Sequence, residues 1–370
     1  KGPALRMTKA DMLLIRADAG VQMGTGHVMR CLALAQAWQG VGGRVCFVLA
    51  FPVPGLEARL QAEGMQIAHL TVADFGGKED AAATAVLADH LNVQWVIVDG
   101  YHFGHEYQKY LKLAGLHVMF VDDNGHAGAY EADVILNQNI HAKVEFYAYR
   151  KLDTQLLLGP TYALLRREFW AWQGWKRVVA PTTRHVLVTL GGSDPDNVTM
   201  KVIEALNQLS SLGLEVQVII GSQYPHLPEL ATAVTSNSSI QLRLNVTNMP
   251  ELMAWADVAI SAGGSTYWEL AFMGLPAVVL ILADNQHSLA EGLAKTGAIV
   301  NLGWYHLVSA EQIAQALICV RDDPLKREAM CAIARELVDG KGAQRVVRMM
   351  QSENVFRVRR AVLDDTQRLF

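Results

Sequence analysis

Cysteine and excess charge are both scarce in this chain, which narrows the classes of protein that it can represent. The 370 residues include four cysteines, none of them in the Cys-x-x-Cys spacing of zinc or redox sites. We therefore expect reduced thiols in the core of a cytoplasmic protein. The formal net charge is only −4, so no strongly basic face for nucleic acid or anionic lipid is expected. The cysteines are Cys31, Cys46, Cys319 and Cys331.

Long apolar runs and several catalytic motifs are lacking as well. The longest strongly apolar run, residues 275–283, is far shorter than the ~20 residues of a membrane span. Residues 1–6 lack the apolar segment of a signal peptide, so we exclude them from the fold. The twelve histidines form no His-Glu-x-x-His pair, and neither Gly-x-Ser-x-Gly nor a P-loop occurs. We expect no metal, no cofactor and no contact with membrane or nucleic acid.

Short β-branched apolar runs alternate along the chain with longer segments of helical periodicity. This pattern predicts parallel sheets covered by helices on both faces. The rhythm breaks between residues 141 and 175, and Ala180-Pro181-Thr182-Thr183 is typical of a linker. We predict two Rossmann-like α/β domains facing each other across a cleft, at residues 7–175 and 183–342. Residues 343–370 are predicted to form a C-terminal helix and the start of a further domain.

A glycine loop follows the first predicted strand and leads directly into a helix that begins with His27. Gly24 and Gly26 let the backbone approach a ligand, and the helix N-terminus favours a phosphate beside the imidazole. Met29 stands where a dinucleotide-binding loop has its third glycine, and no acidic residue ends the second strand. His27 is therefore a candidate catalytic residue, and a helix-capping role is the alternative.

Other polar residues follow the later strands of the first half. Asp99 and Tyr101 come after the fourth strand, Asp122 after the fifth, and Asn137 after the sixth. Ligands bind at the carboxyl ends of such strands, so Asp99 or Asp122 is a candidate to orient His27, and Tyr101 to contact a substrate. Capping of the following turn is the alternative for each.

Two loops in the second half suit a nucleoside diphosphate. Gly191, Gly192 and Ser193 lie between a strand and a helix, where backbone N–H groups can hold an anion. Glu269 follows one helical turn after Ser265, where its carboxylate suits the vicinal hydroxyls of a ribose. Helix capping is the alternative for that second loop. The candidate residues of this half are Gly191, Gly192, Ser193, Gly264, Ser265, Thr266 and Glu269 for the nucleotide, and Asn285 and Gln286 for a sugar.

These motifs together resemble the two-domain nucleotide-sugar enzymes of the GT-B type, and most closely the UDP-sugar hydrolases of pseudaminic acid biosynthesis. The similarity is most specific at residues 15–18 (Ile-Arg-Ala-Asp) and 24–32 (Gly-Thr-Gly-His-Val-Met-Arg-Cys-Leu). Residues 191–194 and 263–269 resemble the nucleotide-binding half, which the lipid I glycosyltransferases share.

The resemblance implies cleavage of UDP-2,4-diacetamido-2,4,6-trideoxy-β-L-altropyranose to UDP and the free sugar. His27 stands at the position of the catalytic histidine, and Tyr101 is implied as a cleft residue. A neutral imidazole there would take a proton from water during inverting attack on the anomeric carbon. We also expect Gly26 to contact UDP, and Arg16, Asp18, Gly24 and Asn137 to contact the sugar.

Several alternatives remain at this point. A UDP-sugar glycosyltransferase would need an acceptor surface, for which the tryptophan-rich residues 169–177 are a candidate, with packing between domains as the other interpretation. A nonhydrolysing epimerase and a non-catalytic UDP-sugar binder are further possibilities. Residues 356–370 resemble the opening of a GNAT acetyltransferase, which predicts a fused acetyltransferase domain, and an ordinary solvated helix is the alternative.

Overall fold

The computed structural model describes residues 11–235 and 237–352. Within them the chain forms two compact units. Among the described residues, the first unit comprises residues 11–18, 27–164 and 341–352, and the second comprises 19–26 and 165–340. The expected start of an acetyltransferase at residues 356–370 lies outside the described residues.

The first unit is built on a seven-stranded parallel sheet in the order β3-β2-β1-β4-β5-β6-β7. Most strands are fully buried apolar runs, as expected for a sheet covered on both faces. The strands are β1 (Met12–Ala17), β2 (Arg44–Leu49), β3 (Gln66–His69), β4 (Trp95–Asp99), β5 (His117–Val121), β6 (Val134–Asn137) and β7 (Gln155–Leu158). The helices are α1 (Gly26–Gly40), α2 (Pro54–Ala62), α3 (Lys78–His90) and α4 (His105–Leu113).

The second unit repeats this arrangement with six parallel strands in the order β10-β9-β8-β11-β12-β13. Its strands are β8 (His185–Thr189), β9 (Glu215–Ile220), β10 (Ile240–Leu244), β11 (Val258–Ala262), β12 (Ala277–Ile281) and β13 (Ile299–Trp304). Its helices are α5 (Val198–Gln208), α6 (Leu227–Val234), α7 (Met249–Trp255), α8 (Thr266–Phe272), α9 (Asp284–Thr296), α10 (Ala310–Arg321) and α11 (Pro324–Leu337).

The final described helix, α12 (Gly342–Met350), returns to the first unit. It packs against the short turn Pro160–Tyr162, where Gly342 allows a close approach and Arg345 donates a hydrogen bond to the carbonyl of Thr161. The predicted helix in this region is thus present, and it is part of the first compact unit.

The units divide between Leu164 and Leu165, upstream of the predicted linker around residue 180. The reason lies in residues 165–177, which pack on helices of the second unit. Phe169 is fully buried against Phe272, and the Arg177 guanidinium donates hydrogen bonds to backbone carbonyls that follow α7 and α8. The tryptophan-rich segment is therefore packed on the second unit. Strand β7 also lies within the stretch that we expected to interrupt the strands.

Among the described residues, no helix combines the length and apolar character that crossing a membrane requires.

Candidate active site

The centre of the first sheet brings β1 and β4 side by side, although 77 residues lie between these strands in the sequence. Ala17 pairs with Asp99 at the carboxyl end of these strands. The strand order reverses between β1 and β4, and such reversal points are where open parallel sheets bind ligands. His27 enters from the loop after β1, in the first turn of α1.

His27 and Asp99 form a close pair at this point. Nδ1 of His27 lies 2.7 Å from Oδ1 of Asp99. The carboxylate is an acceptor, so the proton of a neutral imidazole resides on Nδ1 and leaves Nε2 with a lone pair. His27 is 7% exposed and Asp99 is fully buried. This arrangement orients the imidazole as a proton acceptor.

Arg30 holds the other side of Asp99. Nε of Arg30 donates to Oδ2 of Asp99 and Nη2 donates to Oδ1, each at 2.6 Å. Burial alone would raise the pKa of Asp99, but the charge of Arg30 and the contact with His27 outweigh it and hold that pKa far below its ordinary value. Asp99 is therefore an anion under any physiological condition.

A second carboxylate, Asp123, joins the network from beyond β5. Arg30 Nη1 donates to Asp123 Oδ2 at 2.7 Å, and the Tyr101 hydroxyl donates to the same oxygen at 3.0 Å. Asn139 donates to the other oxygen at 2.7 Å. The Tyr101 ring stands edge-on to His27, with ring centroids 5.0 Å apart. Tyr101 therefore lies beside the histidine. Its expected contact with a substrate stays a prediction.

Asp122 has a different environment from Asp99. One of its oxygens accepts the backbone N–H groups of residues 124, 125 and 126, and the other accepts the Tyr130 hydroxyl. Burial opposes ionisation, but these bonds and the contact with His126 lower the pKa of Asp122 to about 2. Of the two candidate partners of His27, the structure places Asp99 at the imidazole and Asp122 in the turn that follows β5.

Arg16 and Asp18 are fully buried at the end of β1 and pair with each other at 2.8 Å. Arg16 also bonds Asp80, and Asp18 accepts a hydrogen bond from the backbone of Ala50. His102 lies 3.1 Å from Asp18. Both side chains are enclosed by protein. Their expected contact with a sugar stays a prediction.

Asn137 is likewise fully buried. Its amide donates to the carbonyl of Asp123 and contacts the Tyr147 hydroxyl, and its oxygen accepts the N–H of Asn139. This side chain fixes the loop that carries Asp123. The expected contact between Asn137 and a sugar stays a prediction.

The glycine loop before His27 has a tight local geometry. Gly20 and Gly24 exchange two backbone hydrogen bonds, of 3.1 and 2.7 Å. Gly24 has φ +75°, a value that favours glycine. Gly26 is exposed and opens α1. The loop thus leaves backbone available immediately before the histidine.

The second unit has its own strand-order reversal, between β8 and β11, and both predicted nucleotide loops lie there. Gly191 and Gly192 follow β8, and Ser193 is buried. Asp194 caps α5 by accepting the N–H groups of Val198 and Thr199. The loop is therefore held rigidly at the start of an 11-residue helix.

The second loop runs from β11 into α8. Gly264, Ser265 and Thr266 are partly exposed. Glu269 accepts two hydrogen bonds at Oε1 from Arg166, at 3.1 and 2.8 Å, and Arg166 also pairs with Glu168 at 3.1 Å. The carboxylate of Glu269 therefore has a fixed orientation.

Asn285 and Gln286 begin α9, next to that loop. Asn285 is exposed. Gln286 accepts the N–H of Leu282 through its oxygen, and its Nε2 would lie 3.7 Å from a Cβ placed on Gly264. Gln286 therefore caps the turn before α9, and its amide nitrogen lies beside the glycine loop.

Reasoning from the sequence assigned no role to four polar residues of these sites: Arg30, Asp123, Asn139 and Arg166. Arg30 follows His27 by three residues, so both side chains share one helix face, and this spacing was a usable signal. Asp123, Asn139 and Arg166 lie in irregular segments where periodicity carries no information. Within the described part of the chain, no group of three or more His, Cys, Asp or Glu side chains is arranged to hold a metal ion.

Comparison with known proteins finds a family match that spans most of the second unit and the beginning of α12. Residues 185–346 match the glycosyltransferase family 28 C-terminal domain. The spore coat polysaccharide biosynthesis protein SpsG of Bacillus subtilis is 28% identical over 340 residues, which is 91% of this chain and 97% of that protein.

A Campylobacter jejuni protein named UDP-2,4-diacetamido-2,4,6-trideoxy-β-L-altropyranose hydrolase is 23% identical over 288 residues, covering 77% of this chain and 97% of that protein. The crystal structure of Acinetobacter baumannii MurG superposes with a TM-score of 0.62 at 17% identity, over 92% of this chain and 99% of MurG. By fold, the chain is therefore a GT-B-type protein with two Rossmann-like domains, as the sequence predicted.

Proposed function

We propose that this protein is a UDP-sugar hydrolase that inverts the anomeric centre, with His27 as the general base. The observation that carries the proposal is the 2.7 Å contact between His27 Nδ1 and the buried Asp99 carboxylate at the strand-order reversal of the first sheet. The name of the C. jejuni relative supplies the substrate that we propose, UDP-2,4-diacetamido-2,4,6-trideoxy-β-L-altropyranose.

The chemical step follows from the state of the imidazole. Nε2 of His27 accepts a proton from water while the water oxygen bonds to the anomeric carbon. The bond from that carbon to the UDP oxygen breaks, and its electron pair leaves with UDP. Asp99 keeps Nδ1 protonated and stabilises the imidazolium that forms. Because UDP is a good leaving group, we propose that the reaction needs no metal.

For the nucleotide we propose the two loops of the second unit, together with Gly26. Gly191, Gly192 and Ser193 lie in the loop between β8 and α5, and the N–H groups of such a loop favour a diphosphate. Ser265 and Thr266 offer hydroxyls from the second loop. Arg166 fixes Glu269, which suits the two ribose hydroxyls. Asn285 and Gln286 are the proposed contacts for sugar substituents.

The test is hydrolysis in ¹⁸O-labelled water with EDTA and without any acceptor. We expect one ¹⁸O atom in the free sugar and none in UDP, with the initial product showing the inverted anomeric signal by proton NMR. His27→Asn should lower kcat by at least ~10²-fold, since general bases typically contribute 10²–10⁴-fold. His69→Asn is the matched control, because His69 is exposed in the same unit. Label in UDP, or equal rates for both variants, would refute the mechanism.

A UDP-sugar glycosyltransferase is the second candidate, and the match of residues 185–346 to glycosyltransferase family 28 favours it. Such an enzyme would leave the UDP-sugar intact until an acceptor hydroxyl is supplied. Stable substrate in the labelled-water experiment, followed by UDP release on addition of an acceptor, would select this alternative.

A further inference from the structure

The guanidinium of Arg30 connects the two groups that border the candidate base. One edge of it bonds both oxygens of Asp99, and Nη1 bonds Asp123, the carboxylate that accepts the Tyr101 hydroxyl. The result is a continuous series of contacts from His27 through Asp99, Arg30 and Asp123 to Tyr101. Arg30 is 8% exposed, so these bonds are made with little access of solvent.

The same guanidinium also approaches the imidazole directly. Arg30 Nη2 lies 3.3 Å from His27 Nδ1. Both nitrogens carry protons when Nδ1 donates to Asp99, so this contact is a close approach of positive charge rather than a hydrogen bond. A cation there opposes the gain of a second proton by the imidazole, whereas Asp99 favours it.

We infer that Arg30 is a positioning residue that balances the charge of Asp99, so that His27 is held in place by a carboxylate without being made permanently cationic. The inference rests on the proposed function, in which a neutral imidazole accepts a proton from water. Arg30 also holds Tyr101 beside His27 through Asp123, so one side chain sets both the charge and the geometry of the site.

The geometry explains why an arginine is required. A planar guanidinium bonds Asp99 through two atoms and still has Nη1 to reach Asp123, which the single nitrogen of a lysine does not reproduce. Burial would lower the pKa of Arg30, but the charges of Asp123 and Asp99 raise it well above its ordinary value. The positive charge is therefore permanent.

The charge around His27 comes from four separate elements, so each must be considered. Asp99 ends β4, Arg30 lies on α1, Tyr101 follows β4, and Asp123 follows β5. Three further titratable groups contact this set. The Cys31 thiol donates to Asp99 at 3.4 Å, the His126 ring lies 5.4 Å from that of Tyr101, and His141 Nε2 lies 3.2 Å from the carbonyl oxygen of Asp123. Arg30 is the cation of this set that touches both carboxylates.

The test follows the pH dependence of the His27 imidazole by NMR, and of kcat/KM, in a short series of variants. Arg30→Gln should move the His27 titration curve and the acidic limb of kcat/KM upward by about 1 pH unit, since loss of a neighbouring cation favours protonation. Arg30→Lys should return both curves most of the way to their wild-type positions, because the positive charge is kept. It should recover less of kcat, because a lysine that bonds Asp99 no longer holds Asp123. Arg44→Gln, at an exposed arginine of the same unit, should change neither curve.

Asp123→Asn tests the same inference by removing a negative charge instead of a positive one, with a side chain of the same shape. Removing that anion should move both curves to lower pH. This variant also carries the test if Arg30→Gln does not fold, which circular dichroism will show. A folded Asp123→Asn or Arg30→Gln protein with an unmoved His27 curve overturns the inference, as does an Arg30→Lys curve identical to that of Arg30→Gln.

The two proposals fail separately in this design. If the wild-type protein does not hydrolyse the UDP-sugar but the His27 curves move as expected, the proposed reaction is wrong and the role of Arg30 in setting the imidazole charge stands. If hydrolysis occurs and the curves do not move, the inference about Arg30 alone is wrong.

Discussion

Oδ1 of Asp99 lies 2.7 Å from Nδ1 of His27, across 72 positions of sequence. Asp99 ends β4 and His27 lies in the first turn of α1, and the pairing of β1 with β4 brings the two elements together. The contact is therefore a product of strand order. Any parallel sheet with this order presents the residue after its first loop to the end of its fourth strand.

Asp99→Asn should reduce turnover through the imidazole tautomer. An amide nitrogen at this position donates to Nδ1, which moves the proton to Nε2 and removes the lone pair that accepts a proton from water. We expect kcat to fall by at least ~10²-fold. UDP affinity, measured by calorimetry, should remain within about twofold, because the proposed nucleotide residues lie in the other unit.

The matched control is Asp89→Asn, an exposed aspartate at the end of α3. It should retain wild-type kcat. A fully active Asp99→Asn protein would remove the dyad from the mechanism.

Most strands of both sheets were readable from the sequence because they are short apolar runs between polar turns, and six of them are fully buried. Strand β7 was not predicted. The apolar runs of the sequence predict strands at Met12–Ala17, Trp95–Asp99 and Glu215–Ile220, which are the observed bounds of β1, β4 and β9. The rule that ligands bind beyond the carboxyl ends of the strands then selected His27, Asp99 and the two glycine loops. These predictions follow from periodicity and strand order alone.

The contacts within the site could not be predicted from the sequence, because they depend on three-dimensional packing. Asp99 and Asp122 occupy equivalent places after neighbouring strands, and only three-dimensional packing separates the one beside His27 from the one that caps a turn. Arg16 and Asp18 were singled out as candidate sugar contacts, but the sequence did not reveal that Arg16 pairs with both Asp18 and Asp80 in the core. A charged residue at the end of a strand does not reveal, from the sequence alone, whether it pairs with a substrate or with another side chain.

Glu269→Gln should weaken UDP binding if the carboxylate accepts ribose hydroxyls. Hydrogen bonds to a charged group contribute ~1.5–3 kcal/mol, which corresponds to roughly a 10- to 100-fold rise in Kd. Isothermal titration with UDP measures this directly. Glu251→Gln is the control, because Glu251 is exposed in the first turn of α7.

The thermal midpoint must be followed in parallel, since Glu269 also accepts hydrogen bonds from Arg166. A lowered midpoint with unchanged UDP affinity would make Glu269 a packing residue of α8 and end its assignment to the ribose.

Asp122 should make the first unit sensitive to acid. Its folded-state pKa of about 2 lies below that of an unfolded aspartate, so its stabilisation is fully present above about pH 4 and is lost as pH falls through the folded pKa. A shift of this size corresponds to about 2 kcal/mol. Asp122→Asn should therefore be less stable than wild type at pH 7.

The difference in unfolding free energy between Asp122→Asn and wild type should narrow as pH approaches 2, where the carboxylate itself becomes protonated. Urea denaturation at pH 7, 4 and 2.5 follows the trend. A difference that is constant with pH would show that Asp122 acts through shape rather than through its charge.

Arg177 anchors the segment that follows Leu165 to the second unit, so its loss should destabilise that unit. Its guanidinium donates to the carbonyls of Met273, Ala256 and Met253, which lie at the C-terminal ends of α8 and α7, where a cation is favoured. Burial lowers the pKa of Arg177 to about 10, so the group remains charged at neutral pH.

Arg177→Met leaves these carbonyls without their donor, which should cost about 3 kcal/mol of unfolding free energy. Hydrogen-exchange mass spectrometry should show lost protection in peptides covering residues 249–256 and 266–273, while an exposed control, Arg184→Met, keeps wild-type protection. Equal protection in both variants would mean that apolar packing around Phe169, rather than Arg177, holds this segment in place.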